Sequence, residues 1–266
     1  MDRRSVLPDP DSPVTPVRAR RRRSPASHWH PCSRWGAPPV RLNLPAIESS
    51  LRAVQASFGG LNERLGTPRD PMGDEVLGNL MAGYRFVDEA LAQRIDPFQL
   101  GNSGWLLELN TLVLCGEDET RRREFAEHIA ATERRFYALE GVGALMEWLA
   151  RHRGEDPWGL AAGAYIHILS RPQLYIEGNH RTGALIMAYL LACNGKPPFV
   201  LTVANAKAYF DPSMRVKETD RRSLGLVFGL SRLRRRLVRL LRRSADPVYM
   251  APLRAGGSLP GGPGGS

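Results

Sequence analysis

QLYIEGNHRTGALIMAYLLACNG, residues 173–195, opens as a polar, glycine-bearing loop, continues as a nearly all-apolar segment from about Arg181, and closes on Asn194-Gly195. A helix that is apolar all round has no face to give to water, so this run predicts a helix buried at the centre of the fold. Asn-Gly is a good C-cap pair for its end. Just upstream, Asp156 followed by Pro157 supplies an N-cap and a first-turn proline. The helix that starts there runs through Leu160, Ala164, His167 and Ile168, and stops near Ser170 because Arg171 precedes Pro172. Helix, short loop, central buried helix is the local architecture predicted.

The loop Gln173 to Arg181 sits where a helix N-terminus leaves backbone N–H groups unpaired. Gly178 and Asn179 can take backbone angles that turn successive N–H groups toward one point, and the helix dipole adds positive potential there. That combination describes a phosphate cradle formed by Gly178, Asn179, His180 and Arg181, with Arg181 adding a planar two-pronged grip. Glu177 beside a phosphate needs a cation between them, and magnesium binds in this way, through one carboxylate plus phosphate oxygens. The plainer alternative is that the turn caps a helix and holds no ligand.

Working outward, apolar residues recur at helical spacing over Ile47 to Phe58, Asp74 to Gln93, Gly104 to Leu114, Thr120 to Ala131 and Ala144 to His152. Strands are scarce, and the fold class expected is all-α. Residues 1–42 are rich in proline, arginine and serine without a period, the composition of a chain that cannot offset its ordering entropy. Residues 43–222 form the expected helical domain, 223–244 a basic amphipathic helix, and 245–266 a flexible Gly/Pro tail. In the basic helix Leu226, Leu230, Leu233, Leu237 and Leu240 share one face. That face is expected to pack on the domain, which argues against nucleic acid or membrane as the partner.

These residues resemble the Fic (Fido) family, whose signature is HPFxxGNGRxxR, usually with an acidic residue before the GN. QLYIEGNHRTGA aligns with it without a gap: Tyr175 takes the phenylalanine place, Glu177 the acidic place, Gly178-Asn179 the GN, and Arg181 the first arginine. The likeness extends from roughly Ile47 to Arg221. ERRFYALEGVGALMEWLARH, residues 133–152, looks like the family's flap and the helix after it. The resemblance implies a helical bundle with a central buried helix and a small β-hairpin flap, magnesium with ATP or another nucleotide, and transfer of a nucleotidyl or other phosphate-containing group. The acceptor would be a Ser, Thr or Tyr hydroxyl on a protein target.

Three positions depart from the pattern. Gln173 replaces the histidine that serves as general base, and an amide cannot take up a proton near neutral pH. His180 replaces the second glycine, which places an imidazole at the mouth of the expected anion site, where it is a candidate substitute base. Ala184 replaces the second arginine and removes one phosphate contact. A module that binds nucleotide without catalysing is therefore the alternative to a transferase.

Bulk properties narrow the classes further. Hydrophobic residues make up 42% and charged residues 24%, ordinary values for a folded protein, so the net charge of +10 must be local. It is concentrated in two arginine runs, Arg18 to Arg23 and Arg232 to Arg243, while lysine occurs only at positions 196, 207 and 217. Cys32, Cys115 and Cys193 are far apart and form no CxxC pair, which predicts neither a disulfide framework nor a zinc site. The N-terminus has positive charge but no apolar core, so a reduced, cytoplasmic protein is expected.

Overall fold

The computed structural model describes residues 40–221 and 227–251. Residues 1–39 of the segment expected to be disordered, and residues 252–266 of the expected flexible tail, lie outside them. Among the described residues the chain is helical, with two isolated β-bridges and no longer strand.

Among the described residues eleven α-helices follow one another: α1 (Leu44–Ala56), α2 (Phe58–Asn62), α3 (Asp74–Gln93), α4 (Gly104–Cys115), α5 (Glu119–Glu124), α6 (Ala126–Phe136), α7 (Val142–Arg151), α8 (Pro157–Leu169), α9 (Asn179–Ala192), α10 (Ala206–Glu218) and α11 (Val227–Arg243). The boundaries follow local chemistry. Asp156 caps α8 by accepting from the N–H groups of Trp158 and Gly159, at 3.0 and 3.2 Å. The helix expected over Thr120 to Ala131 is two, because the chain turns at Phe125 (φ −91°, ψ 9°) between α5 and α6.

The apolar segment is the centre of the molecule. From Leu185 to Ala192 no residue of α9 is more than 2% exposed, and the helix packs against α8, α3 and α4. Each fully buried Leu or Ile there contributes roughly 1.5–3 kcal/mol before the entropy of ordering the chain is set against it. Small residues set the approach: a Cβ at Gly183 would stand 2.9 Å from the Tyr165 ring on α8.

Residues 133–152, expected as a flap and the helix after it, are the end of α6, a turn and α7: the helix is there, and no hairpin precedes it. Only residues 137–141 separate the two helices, too few for two paired strands. The turn is closed by the N–H of Gly141 donating to Ala138 at 2.8 Å. A Cβ on Gly141 would lie 2.0 Å from the Phe136 carbonyl oxygen, so the reversal needs glycine at this point.

The basic helix α11 belongs to the same body as the rest. It packs on α8 and α10, with Leu237 and Leu241 buried and Leu230, Leu233 and Leu240 half-buried; Leu226 lies outside the described residues. Arg234 joins that face, pairing with Glu155 and lying over the Trp148 ring at 5.3 Å. Residues 245–251, expected as the start of the flexible tail, run back to residues 41–43 ahead of α1. Leu42 and Met250 form an antiparallel bridge, flanked by Asn43 N to Tyr249 O and Ala251 N to Arg41 O, both 2.9 Å.

Cys115 is a free, buried thiol, whereas Cys193 takes part in a disulfide bond, contrary to the expectation from the cysteine spacing. No helix among the described residues is long and apolar enough to cross a membrane.

Candidate functional site

The loop between α8 and α9 is held by backbone carbonyls that three arginines gather. At the end of α8, Arg221 Nη1 donates to His167 O at 3.1 Å, Ser170 O at 3.3 Å and Pro172 O, while its Nη2 reaches Glu140 O at 2.8 Å. A cation suits this place, since the last carbonyls of a helix carry partial negative charge. Arg135 donates through Nε and Nη2 to the backbone oxygen of Gln173, at 2.9 and 2.6 Å. Arg181 Nη1 donates to Val113 O near the end of α4, at 3.0 Å.

Leu174 and Tyr175 then anchor the loop in the core. The Tyr175 ring stacks on Phe136 with centroids 5.6 Å apart, and its hydroxyl donates to Leu106 O at 2.9 Å. Burial drives the Tyr175 phenol far above its usual range, so it stays protonated as a donor. Ile176 and Glu177 point outward and are exposed.

The turn into α9 is set by two asparagines. Asn179 spans the loop, its Oδ1 accepting from Tyr175 N at 3.0 Å and its Nδ2 donating to Tyr175 O at 2.8 Å. Asn110, buried on α4, donates to Glu177 O at 3.0 Å and to Thr182 Oγ1 at 2.9 Å. Gly178 takes the left-handed conformation, φ 74° and ψ 1°, directly before the right-handed α9. A left-handed residue followed by right-handed ones turns consecutive N–H groups to one side, the arrangement of an anion nest.

Among the described residues no acceptor bonds the backbone N–H of Ile176, Glu177, Gly178, Asn179, His180 or Arg181; the first paired amide is that of Thr182, to Gly178 O at 2.9 Å. Six consecutive free donors, three of them in the first turn of a central helix, form the strongest cluster of unpaired positive dipole that this loop presents.

The side chains expected to assist are placed differently from one another. Glu177 is exposed beside the nest, and its charge acts on Arg181. Arg181 is mostly buried and its guanidinium turns toward α4, with burial lowering its pKa and Glu177 opposing that shift. Only Nη1 is engaged there, so its other donors stay uncommitted among the described residues. Gln173 is tied by Nε2 to Leu169 O at 3.0 Å, which holds the side chain against the end of α8.

His180 is not at the mouth of the nest. One residue on from Asn179 the helix has turned by about 100°, which aims the ring back at α8 and α10. Its Nδ1 lies 3.1 Å from the Tyr165 hydroxyl, its backbone oxygen accepts from Tyr209, and Nε2 is buried without a partner. Burial, with Arg69, Lys217 and Arg181 nearby, holds its pKa down at about 3. The imidazole is neutral at physiological pH, and its sealed Nε2 has no route to a reacting group in this conformation.

Asn110, Arg135 and Arg221 are parts of the site that motif reasoning passes over. Asn110 had a visible signal, being the one amide in the mostly apolar helix run WLLELNTLVLC. The two arginines had none, since nothing local distinguishes them from the exposed arginines around them.

Among the described residues no group of three or more His, Cys, Asp or Glu side chains is placed to hold a metal. Two cavities of about 360 and 370 Å³ open elsewhere, one beside Glu108 and Arg122, the other between Thr67 and Arg236. No protein-family model and no curated protein matches this chain.

Proposed function

We propose that this chain is a Fic-like helical protein that binds the phosphates of a nucleotide at the head of α9. The observation that carries the reading is the run of six unpaired amides from Ile176 to Arg181, gathered by the left-handed Gly178. Unpaired N–H groups at a helix N-terminus are satisfied either by water or by an anion, and a left-handed residue directly before the helix is the nest geometry that suits the anion. The ungapped likeness of QLYIEGNHR to the Fic signature, between two helices, adds the expectation of a nucleotide phosphate.

Glu177 is the residue that would hold magnesium. A single exposed carboxylate fits the way magnesium binds, with phosphate oxygens and water completing its shell. When bound, the ion would neutralise phosphate charge next to that carboxylate.

Transfer to a Ser, Thr or Tyr hydroxyl of a protein target needs a proton acceptor beside the phosphate. The Gln173 amide cannot serve, and His180 faces inward with its free nitrogen sealed. Binding without turnover is the form of the proposal these side chains favour.

The test is a thermal-shift screen of the whole chain with magnesium and ATP, GTP or CDP-choline. Stabilisation by at least one nucleotide is expected. It should be lost in Glu177→Ala, whose side chain is exposed and takes no part in the fold. No stabilisation by any nucleotide, or an unchanged shift in that variant, removes the reading. Mass spectrometry of candidate targets decides on turnover, with Gln173→His as the variant expected to gain AMP transfer if the base alone is missing.

A further inference from the structure

The sequence of α11, VFGLSRLRRRLVRLLRR, contains seven arginines and no acidic residue. Docking of the helix divides them. Arg234 is drawn into the protein against Glu155 and Gly159, and Arg242 pairs with Asp156 at 3.3 Å. Arg232, Arg235, Arg236, Arg239 and Arg243 are exposed, and among the described residues none of the five makes a hydrogen bond or salt bridge.

These five share one face. At 100° and 1.5 Å per residue they fall within an arc of about 100° and a row about 16 Å long. A row of like charges on a rigid helix raises self-repulsion that folding does not relieve, and a partner of opposite charge does.

We infer that this face of α11 binds the phosphodiester backbone of a nucleic acid duplex, without sequence preference. Guanidinium forks match phosphate oxygens two at a time, which a row of lysines would not do. An anionic bilayer is the poorer match, because interfacial helices bind by burying an apolar face. Here Leu237 and Leu241 are already spent on the protein. A single strand is also the poorer match, since stacking needs aromatic side chains and Gly229 to Arg243 contains none.

The test is fluorescence anisotropy of the whole chain with a labelled duplex of random sequence across a salt series, for wild type and for R232Q/R235Q/R239Q/R243Q. Each neutralised phosphate adds about −0.9 to the slope of log affinity against log salt, so the variant's slope should be shallower by about 3.6. At the lowest salt its binding should be at least tenfold weaker. Circular dichroism should show the same helicity, since the four side chains are exposed and make no hydrogen bond or salt bridge among the described residues. Should the quadruple variant fail to fold, single variants such as R235Q should each lower the slope by about 0.9. A second variant with glutamine at 18 and 20–23 should keep the α11-dependent part of the slope. An unchanged slope in the α11 variant overturns the inference, as does binding that is lost only when residues 18–23 are changed. Binding to phosphatidylserine vesicles but not to duplex also overturns it.

Discussion

Asn110 and Gly178 meet across the loop: the Asn110 amide donates to the carbonyl of Glu177 at 3.0 Å, and a Cβ on Gly178 would stand 2.8 Å from that same nitrogen. The side chain from α4 and the missing side chain in the loop are thus one device. The first holds the carbonyl in place, and the second leaves room for it while admitting the positive φ that turns the amides outward.

Replacing Asn110 by leucine removes the donor to the part-buried Glu177 O and the buried Thr182 Oγ1. The expected loss is about 1–3 kcal/mol per stranded group, measurable by urea denaturation. If the turn were held by other contacts, the midpoint would move by far less.

Gly178→Ala should cost roughly 1–2 kcal/mol for the left-handed backbone alone, with the contact to Asn110 added to it. Gly78→Ala is the opposite case, since this helical glycine meets nothing within 4 Å where its Cβ would be, and it should gain about 0.5–1 kcal/mol. Paired thermal melts of the two variants should move in opposite directions.

Arg221 serves four carbonyl oxygens, and its side chain is 12% exposed. Arg221→Met should destabilise the protein by about 3–5 kcal/mol, the range for breaking a buried charged network. Arg221→Lys should recover little of this, because one ammonium cannot reach both the end of α8 and Glu140. Full recovery by lysine would show that charge, not geometry, holds the loop.

His180 and His167 are both held at about 3 by burial, while in the unfolded chain each titrates near 6.5. Between those values the unfolded state binds more protons than the folded one, so stability rises with pH across the window. Their contribution is complete above about pH 6.5 and is lost as pH falls toward 3, with a slope of up to about 1.4 kcal/mol per pH unit for each histidine. Denaturation midpoints at a series of pH values should show this slope, and His180→Gln should reduce it by about one proton's worth.

Much of the helical frame was legible before any coordinates. The expected span Asp74 to Gln93 coincides with α3, the Asp156-Pro157 start marks α8, and the apolar run became the buried α9. Those features are local: a cap, a proline, an unbroken apolar stretch. The flap ahead of the helix in residues 133–152 was expected from resemblance alone, and a short turn closed at Gly141 stands in its place. Likewise the His180 ring is held inward by Tyr165 and its backbone oxygen by Tyr209, which lie 15 and 29 residues away in the chain.

By itself the sequence determined that the fold is helical, where α3 and α8 begin, which helix is central, and that a glycine-bearing loop precedes it, because capping, periodicity and backbone freedom act over a few residues. Only the tertiary structure decided which donors of that loop are free. The Asn179 side chain is consumed within the loop, Arg181 bends to Val113, and Arg135 from α6 and Arg221 from the segment after α10 arrive to hold the carbonyls. Hydrogen bonding in an interior is settled by whichever partners packing brings within about 3 Å, and packing joins residues that the chain keeps far apart.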